Sequence, residues 1–434
     1  ATGNTVTLAG GKVTGAVYGG FAAGSGKTTG NTVNIGADPT TLHQGDASAL
    51  AAGTNFAAAE LYGGNKVDAA DNTLNVTVKD VAAKKAQSFD KYTFYLTNSV
   101  AADKPSSGTV DDTFTKSRGT MLTLAEGFDG QTADWNKVTV DTSKLSADKT
   151  LGAITLMKST AANKLKFSNY AAKNHAVSGD YEVVQRTDTN TGVANAVLID
   201  VNRFRNGDVT YHNGDNNAKT YAGVSYGGNT AEGNKFTLKG ISEGKTLKYV
   251  SGGRSKGTAG GAVKNTVNLL GTGKGTLEEV YGGYVGNAAN AADVTENTVN
   301  ITGGTAKNVY GGYTRGTGKT VKNTVNIGYT DDKGVFHDVA DGAKVTGTIY
   351  GGNGTDAAGN VLNVSGKLAA GNIKNFESVK FHVRNTMASG TTLLTLDGAA
   401  ATEGLDWAKV TLEGEFSSSA KSYEPYRLTL MANE

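Results

Sequence analysis

Asn297-Thr298-Val299-Asn300-Ile301, followed closely by Val309-Tyr310-Gly311-Gly312-Tyr313, decides how the whole chain reads, because both segments recur in strict alternation. Copies of the first run over Asn4–Leu8, Asn31–Ile35, Asn72–Val76, Asn234–Leu238, Asn265–Leu269, Asn323–Ile327 and Asn360–Val364. Copies of the second, an apolar residue followed by Tyr-Gly-Gly, run over Val17–Gly20, Leu61–Gly64, Ser225–Gly228, Val280–Gly283 and Ile349–Gly352, with a degenerate copy at Val250–Gly253. The first motif has period-two character, with Val33 and Ile35 facing one way and Thr32 and Asn34 the other. The second reads as a short strand closed by two glycines, expected to take positive φ and turn a corner.

A unit this small cannot bury its own apolar face. Stacking like on like solves that, since each turn of chain covers the next. Several Val, Ile or Leu per turn, at roughly 1.5 to 3 kcal/mol each, then offset the ordering entropy. Stacking also aligns the Asn side chains into hydrogen-bonded ladders. The expected fold is all-β, an elongated parallel β-helix, or β-solenoid, built of glycine-rich rungs.

Two stretches break the glycine-rich pattern and resemble each other. Phe89–Phe94 answers Phe376–Phe381, Thr120–Leu124 answers Thr392–Leu396, and Asp134–Val140 answers Asp406–Leu412. Ile154–Met157 answers Leu428–Met431, and the two tryptophans, Trp135 and Trp407, fall at matching places. The chain therefore reads as a tandem duplication. Glycine-rich rungs occupy 1–76, a strand-rich module 77–223 with a side loop or subdomain at 158–221, a second set of rungs 224–364, and a truncated second module 365–434.

Composition excludes several classes. Sixty glycines with 3 prolines among 434 residues are not collagen. Short alternating apolar runs separate the chain from disorder. With 42 basic and 40 acidic residues and a net charge of +2, nothing favours nucleic acid. The absence of cysteine removes disulfides and weighs against structural zinc. No apolar run approaches the ~18 to 20 residues that cross a bilayer. Ala1 opens inside a repeat, so the chain reads as a segment of something longer.

Asn-Thr-Val-Asn-Ile alternating with Val-Tyr-Gly-Gly-Tyr, together with Gly390-Thr391-Thr392-Leu393-Leu394-Thr395-Leu396, resembles the passenger regions of classical, monomeric type V autotransporters of Gram-negative bacteria. The resemblance covers nearly the whole chain. It implies a right-handed β-helix displayed outside the cell, held by a C-terminal β-barrel that this chain lacks. It also implies adhesion as the commonest activity, with a minority of proteases and esterases. Trimeric autotransporters match less well, since no sustained heptads are present.

Motifs that could carry chemistry are weak. Gly223-Val224-Ser225-Tyr226-Gly227 matches G-x-S-x-G, but no strand-to-helix elbow surrounds Ser225, which is read as a repeat position like Val17 or Val280. Gly26-Lys27-Thr28 and Gly318-Lys319-Thr320 resemble the end of a P-loop without its first glycine or its helix. His43, His175, His212, His337 and His382 are scattered, and most are expected to be exposed. The acidic pairs Asp111-Asp112, Glu278-Glu279 and Asp331-Asp332 read as solvated turns, and Asp188–Gly192 is an incomplete calcium loop. No catalytic residue, metal ligand or cofactor is assigned, and the chain is not expected to be an enzyme.

The remaining constellation is aromatic. Tyr18, Tyr62, Tyr226, Tyr281, Tyr310 and Tyr350 recur at one repeat position, and Tyr284 and Tyr313 follow three residues after two of them, as Phe21 follows Tyr18. If the preceding valines face the core, these rings face outward. They then form either a self-stacking ladder or a stripe that stacks on sugars. The expected function is a structural and adhesive surface protein that meets a glycan or host surface protein through its flank or loops. A purely structural stalk or matrix protein that self-associates end to end or laterally, and a carbohydrate-active enzyme, are the alternatives.

Overall fold

The structure is a computed structural model describing all residues except 66–69, 102–118, 147–148, 150–152, 163, 171–174, 186–192, 213–219, 355, 357, 399–405, 416–426 and 434. The acidic pair Asp111-Asp112 and the Asp188–Gly192 segment lie outside the described residues, as does the side chain of His175. The chain is nearly all β, with long parallel sheets. It divides into two compact units, Ala1–Asn202 and Arg203–Glu434. The boundary falls inside the 158–221 stretch read as a side loop or subdomain.

In the second unit the chain visits its sheets in a fixed order. Asp208–Tyr211, Lys235–Leu238, Thr266–Leu269, Thr298–Ile301, Thr324–Ile327, Val361–Val364, Ser378–Arg384 and Val410–Glu415 form one eight-stranded sheet. Between successive members the chain crosses a second eight-stranded sheet, which includes Thr246–Ser255, Thr276–Val285, Thr305–Thr314 and Lys344–Gly352. A third, four-stranded sheet holds Ala231–Glu232, Ala262–Val263, Val294–Thr295 and Thr320–Val321. Pairing in all three is parallel and like lies on like: Thr266 on Thr298 on Thr324, Val267 on Val299 on Val325, Asn268 on Asn300 on Asn326. The alternation in Thr-Val-Asn-Ile puts Val299 and Ile301 inside, where they meet Val280 and Val309 from the second sheet, all at most 1% exposed.

The corner between sheets is where residue type matters most. The first asparagine of every motif follows a residue in the left-handed region: Gly3, Gly30, Asp71, Gly233, Lys264, Glu296, Lys322 and Gly359. That residue turns the chain and aims the asparagine inward. Asn265, Asn297 and Asn323 are fully buried, and each donates its Nδ2 to a main-chain oxygen of the preceding turn and to the Oδ1 of the next asparagine. A second ladder on the sheet face links Asn363, Asn326, Asn300 and Asn268 at 2.7–2.8 Å.

Gly228 apart, the paired glycines do not take the positive φ of the sequence expectation and do not turn the corner. Gly282, Gly283, Gly311 and Gly312 lie within strands, and none has positive φ. Their role is close approach. A Cβ on Gly283 would sit 2.6 Å from Asn297 Cγ, and one on Gly312 2.7 Å from Asn323 Nδ2. The glycines make the space the asparagine ladder fills.

The first unit repeats this scheme. Thr5–Leu8, Thr32–Ile35, Thr73–Val76, Lys91–Tyr95 and Val138–Asp141 form a five-stranded parallel sheet, and Ala16–Gly20, Glu60–Gly64 and Lys85–Gln87 a three-stranded one. The pattern changes at Ala153–Ser159. That strand pairs parallel with Thr120–Leu124 on one side and antiparallel with Ala196–Arg203 on the other. Tyr181–Gln185 and His175–Ser178 extend the antiparallel side.

The duplication is visible in detail within each unit. Trp135–Lys137 and Trp407–Lys409 are both single 3-10 turns, capped by Asp134 and Asp406. Leu122 pairs with Met157 as Leu394 pairs with Met431. Lys137 meets Asp90 at 2.7 Å, and Lys409 meets Glu377 at 3.6 Å.

Candidate binding face

The tyrosine position follows from strand alternation. Val250, Val280, Val309 and Ile349 point into the core, so the next residue in each strand points away from it. In the second unit the register runs Tyr221, Ser251, Tyr281, Tyr310, Tyr350, and beside it Val224, Arg254, Tyr284, Tyr313. In the first unit Tyr18 lies on Tyr62, followed by Gln87.

The register corrects one predicted member. Tyr226 does not belong to the row, and its place is taken by Tyr221, while Ser225 pairs with Ser255 rather than standing at the valine position. Tyr226-Gly227-Gly228 imitates the motif, but it is Gly223 that faces Asn234. The spacing carried the signal: Gly228 lies closer to Asn234 than any second glycine lies to its asparagine. Tyr226 instead lies under the ammonium of Lys256, 5.0 Å from the ring centroid.

The rings lie against each other. Tyr310 and Tyr350 are stacked with centroids 4.5 Å apart and planes 2° from parallel. Tyr281 and Tyr284 stack at 4.9 Å, Tyr281 and Tyr310 lie 5.4 Å apart, and Tyr313 packs on Tyr281, Tyr284 and Tyr310. Tyr18 and Tyr62 stack at 4.9 Å, with Phe21 edge-on to Tyr18. Tyr281 and Tyr284 are only 5% and 9% exposed, and Tyr18, Tyr62, Tyr310, Tyr313 and Tyr350 are half-buried. Neighbouring rings thus cover one another's faces at Tyr18–Tyr62, Tyr281–Tyr284 and Tyr310–Tyr350.

Three residues outside the predicted set, Arg254, Tyr249 and Glu279, join the face in the second unit. Arg254 lies 5.0 Å over both Tyr249 and Tyr284, and its Nη1 donates to the Tyr249 hydroxyl. Glu279 accepts from the Tyr281 hydroxyl, and burial, then the neighbouring Glu278, raises its carboxyl above the usual range. Burial also raises the Tyr310 and Tyr313 hydroxyls. In the first unit Glu60 accepts from Tyr62 at 2.9 Å and from Lys84 at 2.6 Å, with Lys85 over the Tyr62 ring. A carboxylate two residues before the ring is therefore a shared feature of Tyr62 and Tyr281.

The other chemical motifs do not assemble. Ser225 is 0% exposed within its strand. Thr28 and Thr320 are wholly buried and lend their carbonyls to Asn72 and Asn360, so the P-loop look-alikes are corners of the ladder. Glu278 and Glu279 lie in a strand, not the expected turn. Two histidines are half-buried and paired: His337 with Asp331 at 2.9 Å and His382 with Glu413 at 3.1 Å. Among the described residues no group of three or more His, Cys, Asp or Glu side chains could hold a metal ion. Compared with known proteins, the chain matches no protein-family model, no curated protein and no solved structure.

Proposed function

We propose that each unit is a right-handed parallel β-helix and that the protein is a structural and adhesive scaffold displayed at a bacterial surface, as autotransporter passengers are. The observation behind this reading is the like-on-like register of Thr, Asn and Tyr rows through both units. Such rows build a periodic face, whereas an active site needs unlike groups brought together at one point. A glycan or a surface protein meets the half-buried side chains of Tyr310, Tyr313 and Tyr350 on this face.

One observation favours a second reading, a purely structural stalk or matrix element. The rings cover each other's faces, and a sugar stacks on a ring face, not on an edge. Each stacked pair adds about 0.5–1.5 kcal/mol of stability without any ligand.

The experiment that separates the two passes the protein over immobilised host and bacterial polysaccharides and scores retention and released sugar together. Retention that is lost in Tyr310→Ala with Tyr350→Ala supports the adhesive reading. Released sugar overturns both readings in favour of an enzyme. Absence of retention on every polysaccharide favours the stalk and leaves a surface protein as the remaining adhesive partner.

A further inference from the structure

The first unit contains a recess that no repeat motif announces. Its volume is about 250 Å³. One wall is the parallel strand carrying Val138 and Val140, continuous with the 3-10 turn that carries Trp135. Leu156 and Ile199, each 1% exposed, form the floor. The opposite wall is Val177 and Val183, from the antiparallel strands His175–Ser178 and Tyr181–Gln185. Asn136, Thr139 and Gln185 supply the polar groups.

The duplication shows what makes the recess. Val410 and Leu412 in the second unit match Val138 and Val140 of the first. Leu412 is 57% exposed and Trp407 63% exposed. Trp135, by contrast, is half-buried, held edge-on by Phe167 and Tyr170 at 5.3 and 5.1 Å. The antiparallel strands turn a shared, open strand into a walled site. Their sequence belongs to the stretch that follows the duplicated segments, so repeat analysis could not reveal the site.

The lining selects the ligand. Among the described residues no acidic or basic side chain lines the recess, so a charged ligand would lose its hydration without a partner there. Six aliphatic side chains and an indole face three uncharged polar ones, so a sugar ring would bring more hydroxyls than the walls can pair. An apolar cavity of about 150 Å³ holds benzene. The larger recess here suits one or two fused rings. We propose that it binds an uncharged, largely apolar ring compound, a single aromatic ring or a fused pair with one hydrogen-bonding group at its edge. The aliphatic walls and Trp135 take the ring, and Asn136, Thr139 or Gln185 meets the polar group, the division of labour usual in small-molecule sites. This activity is independent of the adhesive reading, because none of its residues lies on the tyrosine face.

The test is calorimetric and saturation-transfer titration of the whole chain with indole, and with methyl glucoside as a polar ring. Indole should bind saturably, with a dissociation constant of roughly 0.1–1 mM for a ligand of this size, and methyl glucoside should not. Val177→Trp and Thr139→Trp fill the mouth from exposed positions and should each weaken indole about tenfold or more while the melting temperature holds. Trp407→Phe should leave binding unchanged. No saturation with indole up to about 10 mM, equal binding of methyl glucoside, or full affinity in both mouth variants would overturn the proposal.

Discussion

Asn297 Oδ1 accepts two hydrogen bonds from Asn265, one from its main-chain nitrogen at 3.0 Å and one from its Nδ2 at 2.9 Å. Both residues are fully buried, so the bonds between them are made away from water. Removing one link leaves two donors on Asn265 and the carbonyl of Ala262 without their partner. Buried groups left in that state cost about 1–3 kcal/mol each. Asn297→Ala should therefore destabilise the second unit by about 2–5 kcal/mol in urea unfolding. Asn297→Asp keeps the acceptor but faces the Oδ1 of Asn323 with a second oxygen, and should be no milder. A loss below about 0.5 kcal/mol in both would mean that the ladder is geometric and not energetic.

Gly283 tests the same ladder from the other side. Its Cβ would meet the Asn297 amide carbon, nitrogen and oxygen, all near 2.6 Å, and all belong to a side chain held by four hydrogen bonds. Gly283→Ala should cost about 2 kcal/mol or more, as overpacking does. Gly15 has open space around its Cβ position and no positive φ, so Gly15→Ala should stay within about 0.5 kcal/mol of the parent. If the two substitutions behave alike in thermal unfolding, the glycines serve backbone freedom and not close approach.

Lys264 and Glu296 hold φ of 56° and 58° at exposed corners where other copies of the motif carry glycine. A side chain in the left-handed region costs about 1–2 kcal/mol, while glycine carries an entropy cost of about 0.5–1 kcal/mol when ordered. The balance predicts that Lys264→Gly and Glu296→Gly each stabilise by up to about 1 kcal/mol. Alanine at either site should do no better than the parent. Destabilisation by glycine at both corners would contradict the corner's role as the turning point.

The strands, their parallel stacking and the duplication were legible because they rest on period and repetition, which Val299, Asn300 and Trp135 carry openly. The corner was misread. The conspicuous glycine pairs point to left-handed backbone, yet the corner conformation falls on the residue before each asparagine, which is glycine at Gly3, Gly30, Gly233 and Gly359 but Lys264, Glu296 and Lys322 in three other copies, residue types that do not advertise it. Three matching letters place Tyr226 in the tyrosine row, while the register follows the distance to Asn234. The Trp135 recess was invisible for a different reason. Its walls come from strands distant in sequence, and antiparallel pairing of Ala196–Arg203 on Ala153–Ser159 is a tertiary choice that no local motif records.

Glu60 makes the acid limb of the first unit testable. Its carboxylate accepts from Lys84 Nζ at 2.6 Å and from the Tyr62 hydroxyl at 2.9 Å, with Lys85 Nζ at 3.6 Å. The Lys84 bond first, then the Tyr62 bond, lowers its pKa from 4.5 to about 2. A carboxyl depressed in the folded state contributes stability that is complete above its unfolded value. That contribution is lost as pH falls from about 4.5 towards 2, because the unfolded chain takes up the proton first. Glu60→Gln cannot take up that proton, so the acid fall in melting temperature should be shallower over this window, by up to one proton in the linkage. Above pH 5 the same variant should be the less stable chain, since the amide loses the charge that Lys84 and Lys85 meet. Trp135 emission in a Trp407→Phe background reports the first unit alone. Parallel acid profiles for the parent and Glu60→Gln would show that the Glu60–Lys84 contact carries no differential proton binding.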